Sequence, residues 1–217
     1  GTTIEFHKNM AVENYGRTDT LALMKASSCW GHFKEVYFAA DNTYDMYLNQ
    51  PACNEIGKTT HTGGGLLPIN LNGDSLMDIV VSDIGVNYMI SGTNGGSRSI
   101  AHLTSKDSLF PSNSQRVNLT TFPVAFYVDV TGDGVNELIV SPNETAGVDD
   151  KNGLWLYDNL GTQDSPVFEF KQKGFLQEEM FDLGSYTAPH FIDYDMDGDH
   201  DLIVGVGQVN EGDISTL

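Results

Sequence analysis

Short apolar runs that follow polar turns recur along this chain, and their spacing is that of β-strands. The triplets Ile79-Val80-Val81, Leu138-Ile139-Val140 and Leu202-Ile203-Val204 each come directly after a turn rich in Asp, Asn and Gly. A short continuous apolar run bounded by turn residues is typical of a strand that is buried on both faces. Each triplet therefore predicts the second strand of a β-hairpin with a buried interior.

The three hairpins form an internal repeat. The segments 69–81, 128–140 and 192–204 align without gaps, and their first polar positions are 59 and 64 residues apart. Aromatic-rich approach strands are predicted at 122–128 and 186–192, and further strands at 88–90, 154–157 and 167–170. No stretch has the period of a convincing amphipathic helix. The pattern indicates about four strands per repeat.

A four-stranded sheet that repeats about every sixty residues is the pattern of a propeller blade. We therefore predict an all-β fold, a β-propeller-like array of four-stranded antiparallel blades with metal-binding hairpin loops. Residues 1–58 are expected to form a divergent β unit without a metal loop, with strand-like stretches around 29–38 and 45–48. Residues 59–217 are expected to form three repeats, of which the last is incomplete. Propellers close with four to eight blades, so the sequence indicates a partial ring and a fragment of a larger chain.

The polar turns carry oxygen donors at alternate positions, as a metal-binding loop does. Side chains at positions 1, 3, 5 and 9 can converge on one centre, and position 7 can add a backbone carbonyl. Hard oxygen donors without Cys or His favour calcium, and we expect up to three Ca²⁺ ions. The expected ligands are Asn70, Asn72, Asp74, Leu76 and Asp78 in the first loop, Asp129, Thr131, Asp133, Val135 and Glu137 in the second, and Asp193, Asp195, Asp197, Asp199 and Asp201 in the third.

The loops differ in expected affinity. The third has four side-chain carboxylates and Gly198 at its bend, and the second has three carboxylates and Gly134. The first loop has fewer charges and places Ser75 where glycine is preferred, so it is expected to be weak or vestigial. The last ligand stands at position 9 between strands, which excludes an EF-hand. For each loop the alternative is a polar hairpin turn without metal.

Composition narrows the classes of partner. Thirty acidic against eleven basic residues give a net charge of -19, so phosphate-rich nucleic acid is excluded as a natural partner. No stretch approaches the roughly 20 apolar residues of a membrane span. Cys29 and Cys53 lie in no metal or redox motif, and two alternatives stay open: a disulfide in an oxidising compartment, or two buried thiols.

The segments Asp193-Tyr-Asp-Met-Asp-Gly-Asp-His-Asp-Leu202 and Asp129-Val-Thr-Gly-Asp-Gly-Val-Asn-Glu-Leu138 resemble FG-GAP/VCBS repeats of integrin-α-type propellers. The resemblance covers about residues 60–217 and implies calcium at the loop residues named above. The segments Leu156–Thr162, Pro166–Phe170 and Cys29–Phe33 also resemble large VCBS proteins of bacteria with a type 9 secretion system, such as the plug of the outer-membrane translocon. This narrower resemblance implies an exported protein, in the periplasm, at the outer membrane or outside the cell.

Two functional classes follow from these observations. In the first, the propeller is a non-enzymatic surface for a protein partner at the cell envelope. In the second, it is the scaffold of a polysaccharide lyase or carbohydrate-binding protein, with basic and aromatic residues in a central groove. Because the eleven basic residues form no clustered set, the first class is favoured, although fold alone does not decide function.

Overall fold

Antiparallel strands joined by turns make up nearly all of the described chain. The computed structural model describes residues 3–38, 40–50, 64–144, 151–180, 183 and 186–207. In chain order its elements are β1 (Phe6–Asn9), α1 (Ala11–Tyr15), β2 (Leu23–Ser27), a 3₁₀ turn (Trp30–His32), β3 (Lys34–Phe38), β4 (Thr43–Tyr47), β5 (Gly64–Ile69), β6 (Asp78–Asp83), β7 (Met89–Asn94), β8 (Leu103–Phe110), β9 (Pro123–Val128), β10 (Glu137–Pro142), β11 (Trp155–Asn159), β12 (Phe168–Gln172), β13 (Ala188–Ile192) and β14 (Asp201–Gly205). The predicted all-β class is confirmed.

The chain divides into two compact units, Gly1–Phe175 and Leu176–Leu217. The first contains two four-stranded meanders, with strand orders β5-β6-β7-β8 and β9-β10-β11-β12. It also contains the two-stranded sheets β1-β2 and β3-β4, and the second unit contains the two-stranded sheet β13-β14. The prediction of about four strands per repeat is therefore right for the two repeats that have complete sheets. The proposed boundary at residue 58 lies outside the described residues and stays a prediction.

The first apolar triplet shows how the sheets stack. Ile79 and Val81 point from β6 into a core shared with β3 and β4, whereas Val80 points into a core shared with the β9–β12 sheet. Successive side chains of a strand face opposite sides of the sheet, so one strand supplies both cores. All three side chains are at most 2% exposed. The prediction that this strand is buried on both faces is confirmed.

The core between the two four-stranded sheets is rich in aromatic rings. The ring of Phe168 meets those of Phe110 and Tyr127 edge to face, at centroid distances of 6.0 and 5.9 Å. Tyr157 is fully buried against Phe170, at 5.4 Å. Its hydroxyl oxygen has no hydrogen-bond partner, and burial raises the pKa of this phenol. Such edge-to-face pairs add stability beyond the area that they bury.

The first strands of the two meanders, β5 and β9, lie next to each other. The Ser82 hydroxyl on β6 donates a hydrogen bond to the carbonyl of Pro123 on β9. Gly65 leaves room for this approach, because a Cβ there would collide with the Ser82 hydroxyl and lie 3.1 Å from the Pro123 carbonyl oxygen. The first strand of the second meander therefore contacts the first two strands of the first meander.

The N-terminal region differs in detail from its prediction. A strand-like stretch was expected over 29–38, but Trp30–His32 form a 3₁₀ turn and the strand begins at Lys34. Gly31 in this turn has φ +76°, a conformation that strands do not use. Cys29, just before the turn, is disulfide-bonded. The chain's other cysteine, Cys53, lies outside the described residues.

The third hairpin, β13-β14, differs from the other two in its burial. The second strand of each of the first two hairpins is buried, whereas Leu202 is 42% and Ile203 47% exposed. The expectation that this triplet is buried on both faces is therefore wrong for the structure described. The physical reason is that β14 pairs with β13 alone, and no further described strand of its unit extends the sheet. A two-stranded hairpin cannot cover its own faces.

No helix in the described ranges is long or apolar enough to cross a membrane.

Candidate metal centre

The three loops share one backbone frame. In each loop the residues at positions 4 and 6 have positive φ, a region that non-glycine residues rarely adopt. These residues are Gly73 (+79°) and Ser75 (+65°), Gly132 (+77°) and Gly134 (+90°), and Met196 (+64°) and Gly198 (+101°). The sequence identified the bend at position 6, but position 4 was missed because the third loop has Met196 there. The three loops therefore share the same backbone bends at positions 4 and 6.

Two hydrogen bonds also recur in all three loops. The position-9 carboxylate accepts the N–H of position 2, in the pairs Asp78 with Leu71 (2.8 Å), Glu137 with Val130 (2.9 Å) and Asp201 with Tyr194 (2.9 Å). The position-5 carboxylate accepts the N–H of position 7, in the pairs Asp74 with Leu76 (2.8 Å), Asp133 with Val135 (2.8 Å) and Asp197 with Asp199 (3.1 Å). These bonds close each turn whether or not a metal is bound.

In the first loop the amide of Asn72 bonds to the neighbouring carboxylate of Asp74. Its Nδ2 donates to Asp74 Oδ2 at 2.9 Å, and its Oδ1 accepts the N–H of Asp74 at 3.1 Å. Both oxygens of the fully buried Asp78 accept backbone N–H groups, from Leu71 and from Asn94. Burial raises the pKa of the Asp78 carboxyl, and these two N–H groups oppose the rise. This loop satisfies its own polar groups.

The second loop holds its carboxylates mainly with backbone N–H groups. Asp129 accepts from Gly132 at 2.7 Å and from Gly134 at 3.0 Å, one bond to each oxygen. Glu137, almost fully buried, also accepts the Thr131 hydroxyl at 3.4 Å. The predicted ligands of this loop therefore have other partners, and the structure does not gather three of them into one cluster within the described residues.

The third loop brings three carboxylates together. Oxygen atoms of Asp193, Asp195 and Asp197 all lie within 4.8 Å of one another. It is the one group of three or more acidic, His or Cys side chains in the described part of the chain that is close enough to share a metal ion. Asp193 Oδ1 is buried and has no hydrogen-bond partner, whereas its Oδ2 accepts the N–H of Gly198 at 3.3 Å. An orphaned carboxylate oxygen in a group of three carboxylates fits a hard cation, and without one the three negative charges are unbalanced.

Of the fifteen predicted ligands, the structure thus gathers the side chains at positions 1, 3 and 5 of the third loop. Asp201 contacts the loop through its bond with the Tyr194 N–H, and Asp199 donates its N–H to Asp197. The third loop fits a calcium ion by its donor chemistry. The first loop fits the metal-free turn that the sequence left as an alternative.

Two asparagines that the sequence analysis missed tie the loops to the sheets. Asn94 accepts the N–H groups of Gly96 (3.0 Å) and His102 (2.9 Å) through Oδ1 and donates through Nδ2 to the Met77 carbonyl (3.2 Å). Asn159 accepts the N–H groups of Gly161 (2.9 Å) and Val167 (3.0 Å) and donates to the Asn136 carbonyl (3.1 Å). Met77 and Asn136 both stand at loop position 8. The signal was an Asn-x-Gly sequence at the end of the third strand of each sheet.

A cavity of about 420 Å³ lies near the first loop, within the N-terminal unit. Its lining includes Trp30, His32, Leu76, Arg98 and Ile100. The rings of His32 and His102 meet edge to face at 5.6 Å beside it. The cavity is distinct from the third loop and has an aromatic ring and a guanidinium group on its wall.

The comparison with protein families gives one match, an FG-GAP-like repeat at residues 129–204, which includes the second and third loops. No curated protein and no solved structure matches the chain. The FG-GAP part of the resemblance is therefore confirmed for these residues, and nothing supports the VCBS or type 9 secretion part. FG-GAP repeats suggest a propeller and are typically non-catalytic protein-interaction modules.

Proposed function

We propose that this chain is a calcium-stabilised β-propeller module that binds a protein partner at the cell envelope and has no catalytic turnover of its own. One observation carries the calcium part: the orphaned Oδ1 of Asp193 beside Asp195 and Asp197. Three carboxylates at this separation repel one another, and a divalent cation removes that repulsion. The other two loops are closed by their own hydrogen bonds and need a cation less.

The interaction part rests on the FG-GAP-like repeat and on exposed apolar side chains. In the N-terminal unit, Phe126 is 51% and Val128 44% exposed on the first strand of the second meander. In the C-terminal unit, Phe191 is 65% exposed on β13. Adjacent exposed apolar side chains indicate a surface that another protein covers. The net charge of -19 adds a preference for a partner with a basic rim.

Export is proposed from the disulfide at Cys29, since disulfides persist in oxidising compartments outside the cytosol. Calcium is also abundant enough there for weak sites, which bind in the millimolar range, to be filled. We propose the periplasm, the outer-membrane surface or the extracellular space as the location. Association with the type 9 secretion translocon stays a prediction from resemblance.

The calcium proposal is tested by thermal unfolding in EDTA and in rising concentrations of CaCl₂. A cation that binds only the folded loop stabilises by RT ln(1 + [L]/Kd), about 2.7 kcal/mol at a hundredfold excess over Kd. The melting temperature should rise with calcium, and EDTA should reverse the rise. MgCl₂ at the same ionic strength is the control for screening. Equal melting temperatures in EDTA and saturating calcium would show that the loops do not depend on this cation.

The partner proposal is tested by capture from an envelope extract with the wild-type chain and with Phe126→Ser and Phe191→Ser variants. The expected result is a specific protein, identified by mass spectrometry and reconstituted from pure components, whose binding weakens in at least one variant. A Leu160→Ser variant is the matched control, since Leu160 is an exposed apolar residue outside these strands. Binding that is equal in all four proteins would remove these surfaces from the proposal.

A carbohydrate ligand is the second candidate, and the cavity near the first loop favours it. Trp30 offers a ring face for a sugar, and Arg98 offers a cation for an acidic group. Binding of an acidic polysaccharide that is lost in Trp30→Ala and Arg98→Ala would support this candidate. Release of unsaturated sugars by the wild-type chain would make the protein a lyase and would contradict the proposal of a non-enzymatic module.

A further inference from the structure

We infer that Asn72, in the first loop, is a site of spontaneous deamidation, and that the reaction converts this loop from a self-bonded turn into a cation-dependent one. The second part rests on the proposed calcium function, and the first does not. The chain contains three Asn-Gly pairs, Asn72-Gly73, Asn94-Gly95 and Asn152-Gly153. Sequence chemistry alone would give them similar reactivity, since glycine leaves the backbone nitrogen open to the side-chain amide in each.

The structure separates Asn72 from Asn94. Asn72 is exposed in a tight turn, and both of its side-chain bonds go to Asp74 in the same loop. Asn94 is 3% exposed, and its amide is bonded to Gly96, His102 and Met77. Reaction at Asn94 requires local opening of the sheet, whereas reaction at Asn72 requires movement of one surface turn. In the third pair Asn152 is exposed and Gly153 is buried.

One hydrogen bond at Asn72 assists the chemistry. The N–H of Asp74 donates to Asn72 Oδ1, the atom on which negative charge develops during attack on Cγ. The N–H of Gly73 donates to Asn70 Oδ1 at 3.0 Å, and the movement of this turn must release that bond before the nitrogen attacks. Gly73 has φ +79° and no Cβ to hinder closure of a five-membered ring.

The reaction balances with water alone. The Gly73 nitrogen loses its proton and forms a bond to Asn72 Cγ, and the side-chain nitrogen takes up a proton and leaves as ammonia. Water then opens the cyclic imide at either carbonyl, which gives an aspartyl or an isoaspartyl product. The net change is asparagine plus water to a carboxylic acid plus ammonia, with no oxidant or cofactor.

The new carboxylate changes the loop. In the unreacted loop the Asn72 amide donates a hydrogen bond to Asp74 at 2.9 Å, whereas the product has two carboxylates there. Like charges at this separation repel unless a cation lies between them. The aspartyl product has carboxylates at positions 3 and 5, as the third loop has at Asp195 and Asp197, where the structure gathers three carboxylates. The unreacted loop is therefore the metal-free state, and the reacted loop the one that gains from calcium.

The first test is peptide mapping of the intact chain after incubation in mildly alkaline buffer, with no added metal. The Asn72 peptide should gain about 1 Da in a fraction that grows with time. It should do so at least about tenfold faster than the Asn94 peptide, because buried, hydrogen-bonded groups react only through local opening. In urea the two rates should converge. An Asn72→Gln variant should show no gain at position 72. Equal native rates at Asn72 and Asn94, or an unreacted Asn72, would overturn the inference.

The second test compares Asn72→Asp with the parent by thermal unfolding in EDTA and in calcium. The variant should be less stable than the parent in EDTA and should gain more from calcium. To keep the third loop out of the result, both proteins are also measured with Asp195→Ala and Asp197→Ala in place. Equal calcium gains in variant and parent would overturn the conversion of the loop while the mapping still stands. A calcium response absent from the parent but present in Asn72→Asp would contradict only the proposed role of the third loop.

Discussion

Asn94 and Asn159, which stand at the ends of β7 and β11, make the same three hydrogen bonds in two successive sheets. Each side chain accepts the N–H groups two and eight residues further along and donates to the carbonyl at loop position 8. Each amide therefore joins a candidate metal loop to the strand pair behind it. Asn94 also makes a second bond to the loop, since its own N–H donates to Asp78 Oδ1 at 2.7 Å.

Replacing either asparagine by alanine should destabilise the protein by about 2–3 kcal/mol, because two backbone N–H groups lose their acceptor. Asn94→Ala should cost more than Asn159→Ala, since Asn94 is buried and Asn159 is only half-buried. Urea denaturation measures the difference. Asn136→Ala is the matched control, with one side-chain bond to the Tyr127 carbonyl. If the control costs as much as Asn94→Ala, the shared bonds are not what stabilises the loops.

Ser75→Gly should stabilise the first unit by about 0.5–1 kcal/mol. Ser75 has φ +65°, a conformation that costs a non-glycine residue about 1–2 kcal/mol and glycine much less. The gain is partly offset by the larger entropy that glycine loses on folding. Ser112→Gly is the control, because Ser112 is exposed and does not have positive φ. It should be destabilising, and a gain of equal size in both variants would contradict the argument from strain.

Tyr157→Phe should leave the protein unchanged or stabilise it by about 1 kcal/mol. Its hydroxyl is buried without a partner, and removing such a group removes a desolvation cost. Burial raises the pKa of Tyr157, so ionisation of this phenol costs the folded state nothing below about pH 10, and stability is lost as the pH rises further.

Above that pH the wild-type chain should therefore lose stability more steeply than Tyr157→Phe. Urea denaturation from neutral to alkaline pH gives both slopes. Tyr15→Phe is the control, since Tyr15 is 64% exposed. A strongly destabilised Tyr157→Phe at neutral pH would mean that the hydroxyl has a partner in solution.

We expect the third loop to bind calcium more tightly than the first. Asp195→Ala with Asp197→Ala should abolish most calcium binding measured by calorimetry, because both side chains belong to the one gathered cluster. Asp74→Ala should be nearly silent, since Asp74 is already bonded to Asn72. Asp199→Ala controls for charge, because it removes a carboxylate from the same loop without removing a predicted side-chain ligand. A larger loss in Asp74→Ala than in the double variant would reverse the ranking.

The sequence predicted the sheets well where local pattern and tertiary packing agree. The triplets at 79–81 and 138–140 are central strands of four-stranded sheets, and their periodicity reflects burial on both faces. The strands β1 and β2 were not predicted. All four residues of β1 are exposed, and so are the first four of the five residues of β2. The sequence of these strands therefore lacks the hydrophobic pattern that burial produces.

The site was predicted in kind but not in detail. Spacing alone placed all fifteen ligands on three equivalent loops, and the loops do share positive φ at positions 4 and 6. What distinguishes the loops is which hydrogen bonds their side chains find, and that depends on single substitutions such as Asn72 and Glu137. The spacing of the ligand positions does not show whether an amide side chain donates a hydrogen bond to a neighbouring carboxylate.

The alternation of Ile79, Val80 and Val81 between two cores gives the stack of sheets a direction. In both buried triplets the outer pair faces back along the chain, since Leu138 and Val140 meet the preceding sheet just as Ile79 and Val81 do. The middle residue of the first triplet, Val80, faces forward to the β9–β12 sheet. Duplication of one sheet in the gene would place the forward face of the original against the backward face of the copy, as the two four-stranded sheets meet here. An array of this kind can therefore lengthen by whole repeats without a new kind of interface.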